Sequence, residues 1–390
     1  MRIALIAPLY ESVPPKLYGG TERVVSALAD ALVAKGCKVT LFASGDSKTS
    51  ARLQAMSEEG LRLDRTVYDP LAHHYAMVKE VWDRAAEFDV IHSHVDYIAF
   101  PFALAHPEVA SVHTTHGRLD KKETRRAYQS FKGVHLISIS ASQQDPTKDL
   151  ALNWMGVVPN GLPLDLFSFE PHRPLDSSAY LVFLGRICPE KGIDTAVRVA
   201  YRVSMRLIIA AKVDEWERGY YENEVVPMLR DHPCAEFIGE VDESKKDRLL
   251  SAAYANLFPI RWPEPFGLTA IESMACGVPV ITHRCGAMVE IVEEGVTGFF
   301  GDTFEELVAA VHKVEEFDRV RCRERALERF SAEAMADGYL RLYEKAIIEV
   351  TPRDARIEAT IGTSWGTSPR TAAAPSQNAA EANLNSEAVA

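Results

Sequence analysis

Five consecutive apolar residues, Ile3 to Ala7, are followed by a glycine pair, Gly19-Gly20, and then by Val24, Leu28 and Leu32 at four-residue spacing. A short, unbroken apolar run suits a strand buried on both faces of a parallel sheet. The four-residue repeat is one face of a helix. Thr21 is placed to cap that helix, Gly36 to end it, and Val39 to Ala43 returns as a strand. A strand, glycine loop, helix and second strand in this order define a unit of a parallel α/β sheet.

The pattern continues with strands expected near 89–92, 109–114 and 134–139 and helical stretches between them. A second series starts at Tyr180–Leu184. It runs through a helix bearing Ala196 and Val199, then strands near 206–210, 235–238, 255–258 and 278–281. Between the two lies Glu170-Pro-His-Arg-Pro-Leu-Asp-Ser-Ser, polar and proline-bearing as a linker is. The expectation is an α/β protein of two doubly wound domains, 1–172 and 178–330, facing a cleft. Residues 331–350 read as a helix with Leu340, Tyr343 and Ile347 on one face. From Thr351 to Ala390 the chain is rich in Ala, Ser, Thr and Asn, too poor in apolar surface to offset its ordering entropy, and is expected to be disordered. Trp365 could dock this tail to a partner.

With 390 residues, 47% of them apolar and 25% charged, the chain can build large cores. A net charge of -12 argues against nucleic acid as a main partner, since phosphate binding needs a basic field. The six cysteines form neither a Cys-x-x-Cys pair nor a disulfide framework and read as small thiols in a reducing compartment. The first apolar run is too short for a secretory signal, and no run is long enough to span a bilayer, so a cytoplasmic location is expected. His73-His74 and His92-x-His94 could suggest metal pairs, but neither is followed by a third ligand at a recognisable spacing. No metal site is expected.

Three segments carry chemistry. Gly19-Gly20 lies at a helix start, where bare N–H groups favour an anion. It is either a contact for a phosphate or a sugar, or a tight turn. Gly185-Arg186-Ile-Cys-Pro-Glu-Lys191-Gly192 occupies the matching place in the second series. Two cations outside the carboxyl end of a strand suit a diphosphate leaving group, the alternative being a solvated basic turn. Third is Pro263-Glu264-Pro-Phe-Gly267-Leu268-Thr269-Ala-Ile-Glu272. Gly267, Leu268 and Thr269 open a helix whose free N–H groups can hold phosphate oxygens. Glu272 can then reach ribose hydroxyls, and Glu264 the hydroxyls of a sugar. A helix-start preference for acidic residues accounts for part of Glu272, but not for Glu264 between two prolines.

Glu264 and Glu272 together resemble the Glu-x7-Glu motif of retaining glycosyltransferases of the GT-B fold, and Pro-Glu-Pro-Phe-Gly-Leu resembles glycosyltransferase family 4. The resemblance extends over most of residues 1–350, through Tyr18-Gly-Gly-Thr-Glu-Arg, His113-Thr-Thr-His116-Gly, Val158-Pro-Asn-Gly, Gly185-Arg186 to Lys191-Gly192, and Phe237-Ile-Gly239-Glu240. It implies a GT-B fold of two Rossmann-like domains, with the last helix crossing back onto the first. It implies a hexosyltransferase that moves a sugar, with retention, from a UDP- or GDP-sugar to a saccharide, lipid-linked or small-molecule acceptor. The same resemblance puts His116 at the transferred sugar and Gly20 near the donor phosphates. It puts Arg186 and Lys191 on the diphosphate, Gly239 and Glu240 beside the base, Glu264 at the sugar and Glu272 at the ribose. No cofactor or divalent metal is implied. Lys121, Lys122, Arg125 and Arg126 form a basic cluster, either a weak peripheral contact with anionic lipid or a solvated helix face. The rival readings are a sugar-nucleotide epimerase of the same fold and a non-catalytic sugar-nucleotide-binding protein.

Overall fold

A computed structural model describes residues 1–350 except 17, 18, 63, 65 and 173–175. The tail reading and Trp365 lie outside the described residues, as do Tyr18 and the middle of the Glu170–Ser178 linker.

The first sheet has seven strands: β1 (Arg2–Ile6), β2 (Lys38–Ala43), β3 (Arg52–Ala55), β4 (Val90–Ser93), β5 (Ser111–Thr114), β6 (Leu136–Ser138) and β7 (Trp154–Val157). They lie in the order β3-β2-β1-β4-β5-β6-β7. The second has six: β8 (Tyr180–Arg186), β9 (Arg206–Lys212), β10 (Ala235–Gly239), β11 (Ala255–Phe258), β12 (Val280–Thr282) and β13 (Gly298–Phe300), in the order β10-β9-β8-β11-β12-β13. Every pairing is parallel, with Ile3 opposite Val39 and Val90, and Leu181 opposite Leu207 and Ala255. In each sheet the order reverses beside the first strand, so a crevice opens at the carboxyl ends of the central strands.

The apolar runs became the buried central strands; Ile3 to Ile6 and Leu181 to Phe183 are fully buried. Three strands carry no such run. β3, β7 and β13 are sheet edges, and their residues are partly exposed or few, which removes the signal. The first helix, Gly20–Ala34, starts one residue before the expected cap. Gly19 is its N-cap, no side chain caps it, and Thr21 sits inside the first turn. The first N–H groups are left without a side-chain acceptor.

After helix Arg319–Phe330 the chain returns to the first sheet as helix Ala332–Val350. Its Tyr343 hydroxyl donates to His92 Nδ1 (2.6 Å); His92 Nε2 donates to Thr114 Oγ1 (2.8 Å), which donates to the Tyr339 hydroxyl (3.1 Å). All four groups are buried, so each satisfies the next in a dry environment. Lys35 pairs with Asp337 at 2.7 Å at the rim of the same contact. Gly161 lies so close to Ser331 and Met335 that a Cβ there would collide with both.

Tyr343→Phe should leave a buried imidazole nitrogen without its donor, at a cost of about 1–3 kcal/mol. Urea unfolding of the variant against the parent protein checks this; an unchanged midpoint would show that the hydrogen bond contributes nothing.

Candidate active site

The carboxyl ends of the two sheets face one cleft of about 690 Å³. Arg23 of the first helix reaches across it to Glu272, which also receives Lys246 at 2.9 Å, while Arg23 binds Glu243 at 3.0 Å. Ser140 donates to the Pro265 carbonyl (2.7 Å), and Glu290 accepts from the Ala141 and Ser142 amides (2.8 and 2.7 Å). Arg118 pairs with Glu190 at 3.3 Å and lies 4.6 Å over the Trp262 ring. These contacts tie the two sheets together across the cleft.

Glu272 is fully buried in helix Leu268–Ala275. Burial alone would push its carboxyl up, but Arg23 and Lys246 prevail and hold it below the usual carboxylate range. Both cations use Oε1; Oε2 is buried with no hydrogen-bond partner among the described residues. Such an acceptor is costly unless something occupies it, and Glu272 borders the cleft.

Gly267, at φ +91°, is the N-cap of that helix, and a Cβ there would meet Met288 Cε at 2.7 Å. Glycine therefore lets the helix start at the cleft with its N–H groups bare. Gly20 of the first helix approaches from the opposite side: a Cβ on it would sit 3.4 Å from Leu268 Cδ1. Two uncapped helix N-termini thus meet across the cleft.

Lys191 follows β8 in the second sheet. Its Nζ is 2.6 Å from Glu264 Oε2 and lies over the rings of Phe258 (5.1 Å) and Trp262 (5.5 Å). The backbone of Glu264 is fixed in turn by the Ala287 amide (2.9 Å) and by close packing of Gly286, at φ +56°. Arg186, the last residue of β8, is 3.3 Å from Asp214. Gly239 turns the chain at φ +78° and does not border the cleft; that turn brings Glu240 to its wall.

His116 stands beyond β5. Its Nε2 is 2.8 Å from Nδ1 of His94, which stands beyond β4 and whose own Nε2 is buried without a partner among the described residues. Burial pushes His116 down to about 4 and His94 well below its usual value, so both imidazoles are neutral at physiological pH. Two of the other histidines raised as metal ligands, His74 and His92, are committed elsewhere. His74 binds the Leu9 amide (2.9 Å) and the Pro70 carbonyl (2.7 Å), and His92 binds Tyr343 and Thr114. Among the described residues, no three His, Cys, Asp or Glu side chains converge as a metal site would need.

The cleft brings together Gly19, Gly20, His116, Arg186, Lys191, Glu240, Glu264, Gly267, Leu268, Thr269 and Glu272. Sequence reasoning gave no role to Arg23, Lys246, Glu22 or Asp96, which also border it. Arg23 and Lys246 matter through a partner hundreds of residues or one helix away, which no local spacing encodes. Asp96, two residues after His94, is the one with a local trace: the His-x-His run continues into it. Its φ is +48°, Tyr128 donates to it at 2.9 Å, and burial raises its carboxyl to about 6. Glu22, in the first turn after Gly19-Gly20, is raised by burial to about 7. Of the basic cluster, Lys121, Lys122 and Arg126 are exposed beside helix Lys122–Ser130, while Arg125 pairs with Asp149 at 2.7 Å. No helix among the described residues is long and apolar enough to cross a membrane.

Two family models match adjoining stretches: Glycosyltransferase Family 4 over residues 18–166 and Glycosyl transferases group 1 over 167–329. The chain belongs to the group 1 glycosyltransferases and is a transferase of the GT-B fold. It is 29% identical to a glycogen synthase of Mycobacterium tuberculosis, over 76% of this chain and 81% of that one. It is 26% identical to a phosphatidyl-myo-inositol mannosyltransferase of Mycobacterium leprae, over 88% and 96%. Among solved structures, a sucrose-phosphate synthase of Thermosynechococcus elongatus superposes with a TM-score of 0.70 at 20% identity, covering 90% of this chain and all of that one. The Anabaena protein HepE in complex with UDP superposes with 0.67 at 18% identity, covering 88% and 100%.

His116 binds fewer protons folded than unfolded between its ordinary value near 6.5 and its folded value of about 4. Its contribution to stability is therefore present above the unfolded value and declines as pH falls through this window. Glu22 and Asp96, raised by burial, act in the opposite sense, so the comparison must be with a single variant. The difference in unfolding free energy between the parent protein and His116→Asn should shrink as pH falls from about 6.5 to 5. A pH-independent difference would show that His116 does not titrate this way.

Proposed function

We propose that the chain is a retaining hexosyltransferase. It takes a sugar from a UDP- or GDP-linked donor and passes it to a hydroxyl of a saccharide, lipid-linked or small-molecule acceptor. The observation that carries this reading is Glu272: a buried carboxylate with one oxygen held by Arg23 and Lys246 and the other unpartnered, at the wall of the cleft. Two ribose hydroxyls are the donors such an oxygen lacks. The UDP complex of HepE, which shares this fold, agrees with a nucleotide in the cleft.

On this reading the N–H groups of Gly267, Leu268 and Thr269 hold phosphate oxygens, and Arg186 and Lys191 face the diphosphate. Glu264 and His116 hold the sugar. The acceptor oxygen bonds to the anomeric carbon while the bond from that carbon to the diphosphate oxygen breaks. The electron pair leaves with the diphosphate, whose departing oxygen takes the acceptor's proton. Charge grows on the diphosphate as the bond breaks, so cations and N–H dipoles already aimed at it lower the barrier. On this reading Glu264, paired through one oxygen with Lys191, positions that lysine and the sugar, and retention comes from attack on the face the diphosphate leaves. A closed cleft protects the donor from water.

The first test is nucleotide release from UDP-, GDP- and ADP-sugars by the purified protein, together with donor binding. Glu272→Gln keeps the shape but loses the charge-assisted hydrogen bonds, and should raise the donor KM by roughly 10–100-fold. Donor use unaffected by that change would remove the ribose role. Because protein cations supply the neutralising charge, EDTA should leave the transfer rate unchanged; loss of activity restored by a divalent ion would refute that part.

A further inference from the structure

The wall of the cleft contributed by the first sheet differs from the wall that holds Arg186 and Lys191. Tyr10, after β1, and Tyr97, after β4, both border the cleft and stay 39% and 47% exposed. Large aromatic side chains left open at a concave site offer apolar faces to a ligand. Tyr10 is a fixed platform: its ring lies 4.8 Å from that of His74, whose two nitrogens are locked to the backbone. Tyr97 is close enough for its hydroxyl to act on that of Tyr10, second only to burial in raising it. Asp96, which precedes Tyr97 in the chain, also borders the cleft and is held by Tyr128 on a left-handed backbone that non-glycine residues rarely adopt. Strain of this kind persists only where the surrounding structure fixes it, and Asp96 is fixed at the border of the cleft.

The charges on this wall are as informative. Each arginine there is already matched to carboxylates: Arg23 to Glu272 and Glu243, Arg62 to Glu11 at 2.9 Å, and Arg118 to Asp120 and Glu190. The two wall carboxyls, Asp96 and Glu22, have no ion-pair partner among the described residues. A phosphate on the acceptor would have to compete with the carboxylates already paired there for every arginine of the wall, and would also meet Asp96, whose carboxyl, at about 6, is mostly ionised at neutral pH. A sugar ring without charge fits both halves of the wall: its C–H face packs on tyrosine, and its hydroxyls donate to carboxylate.

We propose that this wall is the acceptor site and that it takes an uncharged saccharide, stacked on Tyr10 and Tyr97 with a hydroxyl hydrogen-bonded to Asp96. The proposal rests on the nucleotide-sugar reading for the direction of transfer, but not for the binding of the acceptor itself. It narrows the acceptor from three chemical classes to one. It also gives Asp96 a substrate contact, and the two tyrosines the role of setting how the incoming hydroxyl meets the anomeric carbon.

Calorimetric titration of the full chain with maltotriose, mannotriose and cellotriose reads the site without a donor. The same sugars are then offered as acceptors beside glucose 6-phosphate and phosphatidylinositol vesicles. At least one neutral trisaccharide should bind and accept, and the two charged acceptors should not. Tyr97→Ala should raise the acceptor KM by about tenfold or more with donor KM unchanged, and Tyr97→Phe should restore it, because stacking needs the ring and not the hydroxyl. Asp96→Asn should lower kcat/KM for the acceptor while leaving donor binding intact. Transfer to the phosphorylated sugar or the lipid alone overturns the proposal. So does donor binding without binding or use of any neutral trisaccharide, or a Tyr97→Ala variant with unchanged acceptor KM. If the donor fails to bind while a trisaccharide binds through Tyr97, the nucleotide-sugar reading falls and the saccharide site stands.

Discussion

A buried carboxylate between two cations from different elements ties this structure together. Glu272 sits on the helix that faces the cleft, Lys246 on the neighbouring helix of the same sheet, and Arg23 on the first helix of the other sheet. Desolvating a carboxylate is expensive, and removing either cation would leave charge in a dry place. The ion triad therefore fixes the distance between the sheets and charges the oxygen that the ribose reading needs. Gly20 against Leu268 shows how close that approach is. A larger residue at either helix start would hold the sheets apart and lengthen the Arg23 contact.

Much of the fold was legible because parallel strands are buried on both faces and so are written as continuous apolar runs. β1, β2, β8, β9 and β11 could each be located this way. β3, β7 and β13 could not, since an edge strand needs only a partner on one side and tolerates Arg52 or Trp154 at its boundary. Among the cleft residues, those on a glycine-marked loop or helix start were visible, because the chain must punctuate itself where a backbone N–H is to meet a ligand. Thr21 misled for the same reason in reverse: it is a good cap type, but the helix begins with two glycines and leaves it inside the first turn. Gly239 stood one residue from the wall that Glu240 occupies.

The groups that escaped notice share a feature. Arg23, Lys246 and Asp96 act through neighbours brought together by the fold, and their residue types are ordinary on any surface. Burial changes the chemistry of the acids and histidines at the cleft. Asp96 and Glu22 are pushed toward neutrality, and His94 and His116 are kept from protonating, by the same loss of water. The cleft thus holds acids that titrate close to neutrality, at about 6 and about 7, and bases that stay unprotonated, whereas the second wall carries Arg186 and Lys191.

The hydrogen-bond chain from Tyr343 to His92 joins residues 251 positions apart. His92 is two residues from His94, which holds His116 at the cleft. During synthesis the first sheet can collapse as soon as β7 emerges, yet His92 lacks its donor until the last helix of the described chain has left the ribosome. The first domain to be made is thus the last to be finished, and a polypeptide stopped before position 339 would carry both sheets with this histidine row unanchored. Such long-range closure slows folding and leaves an apolar face on the first helix and β4 open meanwhile. The nascent protein therefore stays open to misassembly at this face until the last helix has docked.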